Sequence, residues 1–583
     1  MGETSTLTRT DTQVITKTLW NEGVLKRFLL LLLCIWLVGV VILPVGNLLA
    51  KSMTNAEGQF VGMANFHTYF SSPSLSRSME NSIQVALYTT VISVSLGFIF
   101  AFCLTRTCMP ARGMFKGMAM IPLFAPTLLN GIALIYLFGR KGLITRGFFG
   151  LIPGIEIPLY GQVGIVISEV LYTFPQAMLI LTVALSITDA RMYEAARSLK
   201  AGPWRIFFTV TLPGIKYGLL SAVFVCFILA FTDFGAPKVV GGNFNILATD
   251  IYKQVIGQQN FVMGAVVSVI LLIPTLLAFV GDRLIQGKQV AMITSQAVPL
   301  VPRPHPVIDR VALFFCGSVV GMIVLFYSTA LMASLVKVWP YDMSLGLGHY
   351  HFSGTGGGGY SAFFNSIRMA FYSAVLGTFI TFFSAWLIEK VRVMNPVRQT
   401  AYFLSILPLA LPGLVIGLAY IFFFNAPGWH LAGVFIANPL HFLYASMGIL
   451  VLSNIIHFYS VSFLTATTAL KQMDIEFEQV SDAMGVPFYK TFFRVTVPVC
   501  LPAMLEIGMY YFVNSMATVS AVIFLYSADL PLASVAIANM DDAGDTAPAC
   551  AMSVLVVLTN GGVRLIYNFL TRRIRHRHSA WSR

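Results

Sequence analysis

"NSIQVALYTTVISVSLGFIFAFCLTR" occupies residues 81–106 and carries no charge before Arg106. A helix rises about 1.5 Å per residue, so a run of this length crosses the ~30 Å hydrocarbon core of a bilayer. The polar and apolar residues do not alternate, as a strand of a membrane barrel requires. The run returns as "NSIRMAFYSAVLGTFITFFSAWLIEK" at 365–390. These two stretches point to a helical membrane protein built from a duplicated unit.

The rest of the chain extends both conclusions. Of its 583 residues, 57% are hydrophobic and 10% charged, against roughly 25% charged in a soluble domain. Spans are expected near 27–50, 80–105, 116–139, 161–187, 214–235 and 260–281, then near 310–336, 365–388, 400–424, 441–468, 499–526 and 549–570. The first run is full-length with no cleavage site after it, which favours a retained span over a signal peptide. The seven cysteines show no CxxC spacing, so neither a disulfide framework nor a metal site is inferred.

The net charge of +13 is unevenly placed. With the N-terminus inside, the inner segments hold 24 Lys and Arg and the outer segments 8. That asymmetry puts both termini in the cytoplasm and accounts for the positive charge without nucleic acid. The basic tail "RRIRHRH" (572–578) obeys the same rule.

The repeat continues beyond the opening pair. "IPLFAPTLLNGIALIYLF" (121–138) matches "LPLALPGLVIGLAYIFFF" (407–424), and "FFTVTLP" (207–213) shares five of seven residues with "FFRVTVP" (492–498). The organisation read from this is a cytoplasmic segment 1–26, a six-helix half 27–281, a Pro-rich cytoplasmic linker 282–309, a second six-helix half 310–570 and a basic tail 571–583. An even number of spans per half gives both halves the same orientation, as parallel repeats require.

Between the fourth and fifth spans lies "YEAARSLKAGPWRIFFTVTLP" (193–213), charged and jointed among apolar runs. Asp189 is placed to cap a short helix, as Asp474 is in the second copy. Gly202-Pro203 breaks that helix, and Pro213 opens the next span. Connections within bundles usually take about 2–8 residues, so a longer one that appears twice calls for a function.

The segment resembles the signature of ABC-importer permeases, in which Glu-Ala-Ala is followed by Gly six residues after the Glu and by a Leu-Pro pair. Glu194, Ala195, Ala196, Leu212 and Pro213 stand at those places, with Lys200 at the Gly position and Gly202 nearby. In the second copy Gly485 and Pro498 are in register, but Gln479, Val480 and Ser481 replace Glu-Ala-Ala, with Glu478 one position early. The resemblance implies an all-α type I importer permease of about 12 spans. It implies coupling helices at both segments that dock on two copies of a cytoplasmic ATPase, and an extracytoplasmic substrate-binding protein. ATP and Mg would sit on the ATPase, since this sequence has no G-x-x-x-x-G-K-[ST] and its "GTGGGGY" (354–360) lacks the Lys and the strand–loop–helix setting. The chain is expected to bind no cofactor or metal and to reside in a bacterial cytoplasmic membrane.

Within that family the fused two-half layout resembles permeases associated with ferric iron and with 2-aminoethylphosphonate. "VSAVIFLYSADLPLASVAIANMDDAGDTA" (519–547) and "LNGIALIYLFGRKGLIT" (129–145) look most like the 2-aminoethylphosphonate branch. Ferric iron or an organophosphate is the alternative cargo, and a secondary transporter the alternative class. Polar residues inside spans are candidates for the substrate path: Asp233 first, with Asn130, Asn454 and Asn514, and also Glu169 and Glu506. Asp233 is expected at the outer end of the fifth span, where helix-end solvation is the competing account. His349 and His351 in "GHYHF" fit a solvated loop better than a metal site.

Overall fold

The computed structural model describes residues 9–151, 153–292, 298, 300–391, 394–431, 434–474 and 476–579. The middle of the expected linker and the far ends of both terminal segments lie outside the described residues. Each half contributes eight helices to the framework. The first half has α1 (Glu22–Ser52), α2 (Pro73–Arg106), α3 (Arg112–Ala119), α4 (Thr127–Phe138), α5 (Gln162–Ser186), α6 (Ala190–Ser198), α7 (Leu212–Thr232) and α8 (Phe261–Met292). The second has α9 (Pro306–Leu335), α10 (Gly359–Lys390), α11 (Asn395–Ile406), α12 (Gly413–Phe424), α13 (Met447–Gln472), α14 (Glu476–Ala483), α15 (Val497–Ala517) and α16 (Thr546–Ser579). Two short hairpins, β1–β2 (Val336–Val338, Asp342–Leu345) and β3–β4 (Gly428–Leu431, Val434–Ala437), follow α9 and α12.

Among the described residues ten helices are long and apolar enough to cross a bilayer, and two bent pairs bring the number to twelve. The expected third and ninth spans are therefore not straight. The chain bends by 103° between Phe124 and Thr127 and by 112° between Ala410 and Gly413. The cause is local. Pro126 and Pro412 stand directly before α4 and α12, and a proline pushes the residue before it out of the helical region. Ala125 and Leu411 accordingly have ψ of 142° and 114°.

The packing shows that each bent pair still crosses. Ser93 meets Thr173 at 2.7 Å, Gln84 meets Gln162 at 3.3 Å, and Arg106 reaches Leu185 O at 2.9 Å, so α2 and α5 run in the same direction. A chain that leaves one face at Arg106 and re-enters from the other at Gln162 has to traverse the membrane between them. In the second half, α10 and α13 are likewise parallel, with Met369 against Asn454 and Glu389 near Lys471.

The two halves exchange their first spans. α1 lies on the second half, where Tyr420 donates to Val40 O at 2.9 Å. α9 lies on the first, where Tyr327 donates to Asn130 Oδ1 at 2.8 Å and Cys108 N donates to Asp309 Oδ1 at 2.7 Å. Within a half, small residues let helices approach closely. A Cβ added at Gly218 of α7 would lie 2.4 Å from the Ala184 Cβ of α5. Ile35, Phe314 and Leu565 point outward and are exposed, a surface that hydrocarbon accepts and water does not.

Candidate functional site

α6 and α14 lie on one face of the molecule, each between two spans. Asp189 caps α6 by accepting from Arg191 N at 3.0 Å, and Asp474 accepts from Glu476 N at 3.2 Å beside α14. Both helices then end the same way. Ala201 N bonds back to Ala196 O, and Val486 N to Ser481 O, each at 3.0 Å across a residue with positive φ. Those residues are Lys200 and Gly485. Gly202 precedes a further short helix at Pro203–Ile206, matched by Phe488–Thr491.

Each segment then joins the next span through a π turn, Phe207–Thr211 before α7 and Phe492–Thr496 before α15. The reason lies in Pro213 and Pro498, which sit just inside those spans. A proline ring clashes with the carbonyl four residues back, and a widened turn accommodates it while the helix continues. Each segment is thus continuous with a membrane span.

Exposure along the segments is paired. Met192 and Phe477, Leu199 and Met484, and Trp204 and Tyr489 are equivalent positions, and all six are exposed apolar side chains. Glu194 and Gln479 are also exposed, Ala195 is exposed, and Ala196 and Ser481 are half-buried. Ser481 bonds Thr491 Oγ1, which fastens α14 to the helix after it. The motif-based reading found the acidic and small residues but passed over the apolar ones. Their signal was available, since apolar residues recur at matching places in both copies.

The two segments are fastened differently to the spans. Arg106 donates to Leu185 O, to Thr188 Oγ1 and to Tyr193 Oη, and its guanidinium lies 5.0 Å from the Tyr193 ring centre. Tyr193 in turn donates to Thr211 Oγ1 at 3.2 Å. In the second copy Trp386 packs against Phe488 and Phe492, with ring centres 5.8 and 4.9 Å apart. A polar knot holds the first segment and an aromatic cluster the second.

A second feature lies where the two bent spans meet. A cavity of about 120 Å³ is walled by Thr127, Tyr172 and Asp233 from the first half and by Gly413, His457 and Asn514 from the second, among others. Thr127 and Gly413 begin α4 and α12, so the positive ends of two half-helices lead into one space. Asp233 directly follows Thr232, the last residue of α7, and lines this cavity. The chain turns there and continues through the short helix Gly235–Val240, whose Val240 O accepts from Gly161 N at the start of α5. The span breaks inside the protein because Asp233 Oδ2 takes the Ala236 N–H at 3.0 Å and starts the new helix. Gly235 permits this, since a Cβ there would lie 2.2 Å from Thr127 Oγ1.

Directly beside Asp233 stands the carboxyl of Glu169, fully buried, with Tyr172 close to both. Asn514 shares the cavity with Asp233. Asn130 and Asn454 do not line it. Asn130 receives the Tyr327 hydroxyl, while Asn454 donates to Leu450 O and to Met369 Sδ, so both serve helix packing. Glu506 pairs with Arg564 at 3.2 Å and accepts from Tyr567, away from the cavity. Among the described residues no group of three His, Cys, Asp or Glu is placed to hold a metal ion.

Residues 93–290 and 377–576 each match the family described as binding-protein-dependent transport system inner membrane component. The chain belongs to that family. It is the membrane-embedded subunit of an ABC importer, a multi-pass permease with two fused halves that works with an ATPase and a substrate-binding protein. The permease is 25% identical to the ferric transport system permease protein FbpB of Actinobacillus pleuropneumoniae over 85% of its own length and 71% of that protein's. It is 26% identical to the putative ferric transport system permease protein FbpB 1 of Haemophilus influenzae, over 78% and 71%. The molybdenum transport system permease protein ModB of Escherichia coli matches only 27% of the permease, at 30% identity, while 67% of ModB is covered. That is the pattern expected of a relative corresponding to one half.

Proposed function

We propose that this permease imports a small solute bearing a positive group, 2-aminoethylphosphonate first. The observation that carries the reading is Asp233 at the wall of the cavity between the halves, with the buried carboxyl of Glu169 beside it. Two carboxyls in contact inside a protein share a proton rather than both ionise, and an arriving ammonium group is a partner that stabilises their negative charge. An ammonium attached to a phosphonate suits the cavity better than a sugar phosphate, which brings negative charge alone. Both termini lie in the cytoplasm on this reading. Two ATPase copies dock on α6 and α14, seating Leu199 and Met484 in equivalent grooves.

Ferric iron is the second reading. The relatives named as ferric permeases favour it, and carboxylate and phenol oxygens such as those of Asp233 and Tyr172 are hard donors suited to such an ion. Uptake into vesicles carrying the permease, its ATPase and its binding protein separates the two. Labelled 2-aminoethylphosphonate should accumulate with ATP, and ferric citrate should not compete. Uptake of iron without uptake of the aminophosphonate would replace the first reading with the second.

A further inference from the structure

The cavity is built by equivalent positions of the two halves, yet its chemistry is not symmetric. Tyr172 of α5 corresponds to His457 of α13, Asp233 to Thr518, and Leu229 of α7 to Asn514 of α15. Behind them the pattern holds, since Glu169 corresponds to Asn454. The first half therefore presents two carboxyls and no basic or amide group among these positions. The second presents an imidazole, two amides and a hydroxyl, and no acid.

The helix ends sharpen this polarity. At α4 the positive helix end at Thr127 is answered by Asp233 close by. At α12 the equivalent end at Gly413 faces Ser520 and the backbone of Ala521, with no carboxylate at the position that matches Asp233. A 12-residue helix carries about half a positive charge at its N-terminus, and inside a membrane that charge has little water to screen it. His457 adds unpaired polarity. Its Nδ1 is buried without a hydrogen-bond partner, and its ring lines the cavity.

We propose that this cavity is a two-ended transit site for a zwitterion. The cationic end lies against Asp233, with Glu169 behind it, and the anionic end lies against His457, Asn514 and the N-terminus of α12. The proposal rests on the reading of a positively charged cargo and adds where its negative group goes. The cavity, of about 120 Å³, is small, which suits a compact solute. His457 is then a specificity-determining residue, and its substitution by the tyrosine of the equivalent position converts the second pole towards the chemistry of the first.

The test is equilibrium binding to the purified permease–ATPase complex without binding protein, using labelled 2-aminoethylphosphonate, with ethylammonium and ethylphosphonate as competitors. Both competitors should displace the label, each more weakly than unlabelled aminophosphonate. D233N should weaken the aminophosphonate at least tenfold and abolish competition by ethylammonium. H457Y should weaken it at least tenfold and abolish competition by ethylphosphonate alone, and rescue by H457Q would assign the effect to hydrogen bonding rather than to folding. Equal behaviour of wild type and H457Y would overturn the anionic end. An absence of binding in the wild type would overturn the transit site. If vesicles with the binding protein still took up the aminophosphonate, the proposed cargo would survive that result. If they took up iron instead, the cargo reading itself would fail.

Discussion

Lys200 and Gly485 occupy the same place in the two segments that precede α7 and α15, and both hold a left-handed backbone, with φ of 56° and 65°. Glycine adopts that conformation freely, whereas a side chain there costs about 1–2 kcal/mol. The turn is needed in both copies because it returns Ala201 N to Ala196 O and Val486 N to Ser481 O. K200G should stabilise the first segment by about 1 kcal/mol, slowing exchange of the Ala201 amide roughly fivefold. G485A should speed exchange at Val486 by a similar factor. Unchanged exchange in both variants would show that the turn is not strained.

The exposed apolar residues of the two segments are paired, but the acidic one is not. L199D and M484D should each reduce ATPase binding by more than tenfold, since a charge must be desolvated to enter an apolar groove. E194K should be more damaging than Q479K, because Glu194 alone keeps the acidic residue. Copurification of the ATPase with each variant measures this. Equal losses from E194K and Q479K would remove the acidic residue from the docking contact.

Arg106 joins the end of α2 to α5, to Tyr193 of α6 and through it to Thr211. On the proposed docking role, α6 can move α7 only while it is fastened to it. R106A and Y193F should leave the ATPase bound but lower transport per ATP hydrolysed, Y193F less because the ring stays in place. Parallel assays of uptake and hydrolysis read this directly. A fall in both at a constant ratio would reduce Arg106 to a folding role.

On the opposite face, Lys238 and Asp542 bridge the two halves at 2.6 Å. Burial pushes the neighbouring Asp541 carboxyl up to about 6, with Asp542 adding to the effect and Lys238 opposing it. The unfolded value is about 3.9. The protonated form is thus favoured by folding, a contribution present in full below about pH 4 and lost as pH rises through 6. D541N should therefore stabilise the permease at pH 7.5 by about 1–2 kcal/mol relative to wild type, and the difference should vanish near pH 4. Thermal unfolding of both proteins across that range checks the sign. A larger gain at low pH would contradict it.

Composition, run length and the repeat near 285 residues were enough to establish a helical membrane protein with two equivalent halves, because a bilayer admits so few alternatives. The short helices and joints before α7 and α15 were legible too, since their charges and prolines interrupt apolar sequence. Local pattern could not decide the bends at Pro126 and Pro412. A proline in a membrane helix kinks or breaks it according to what packs alongside, and only the parallel course of α2 and α5 shows that the broken pair still crosses. The same holds for the polar candidates. Asn130, Asn454, Asp233 and Asn514 look alike in sequence, each a costly group in an apolar run. Tertiary packing gave the first two to neighbouring helices and brought the last two to one cavity, because burial and partners belong to the folded arrangement and not to the residue.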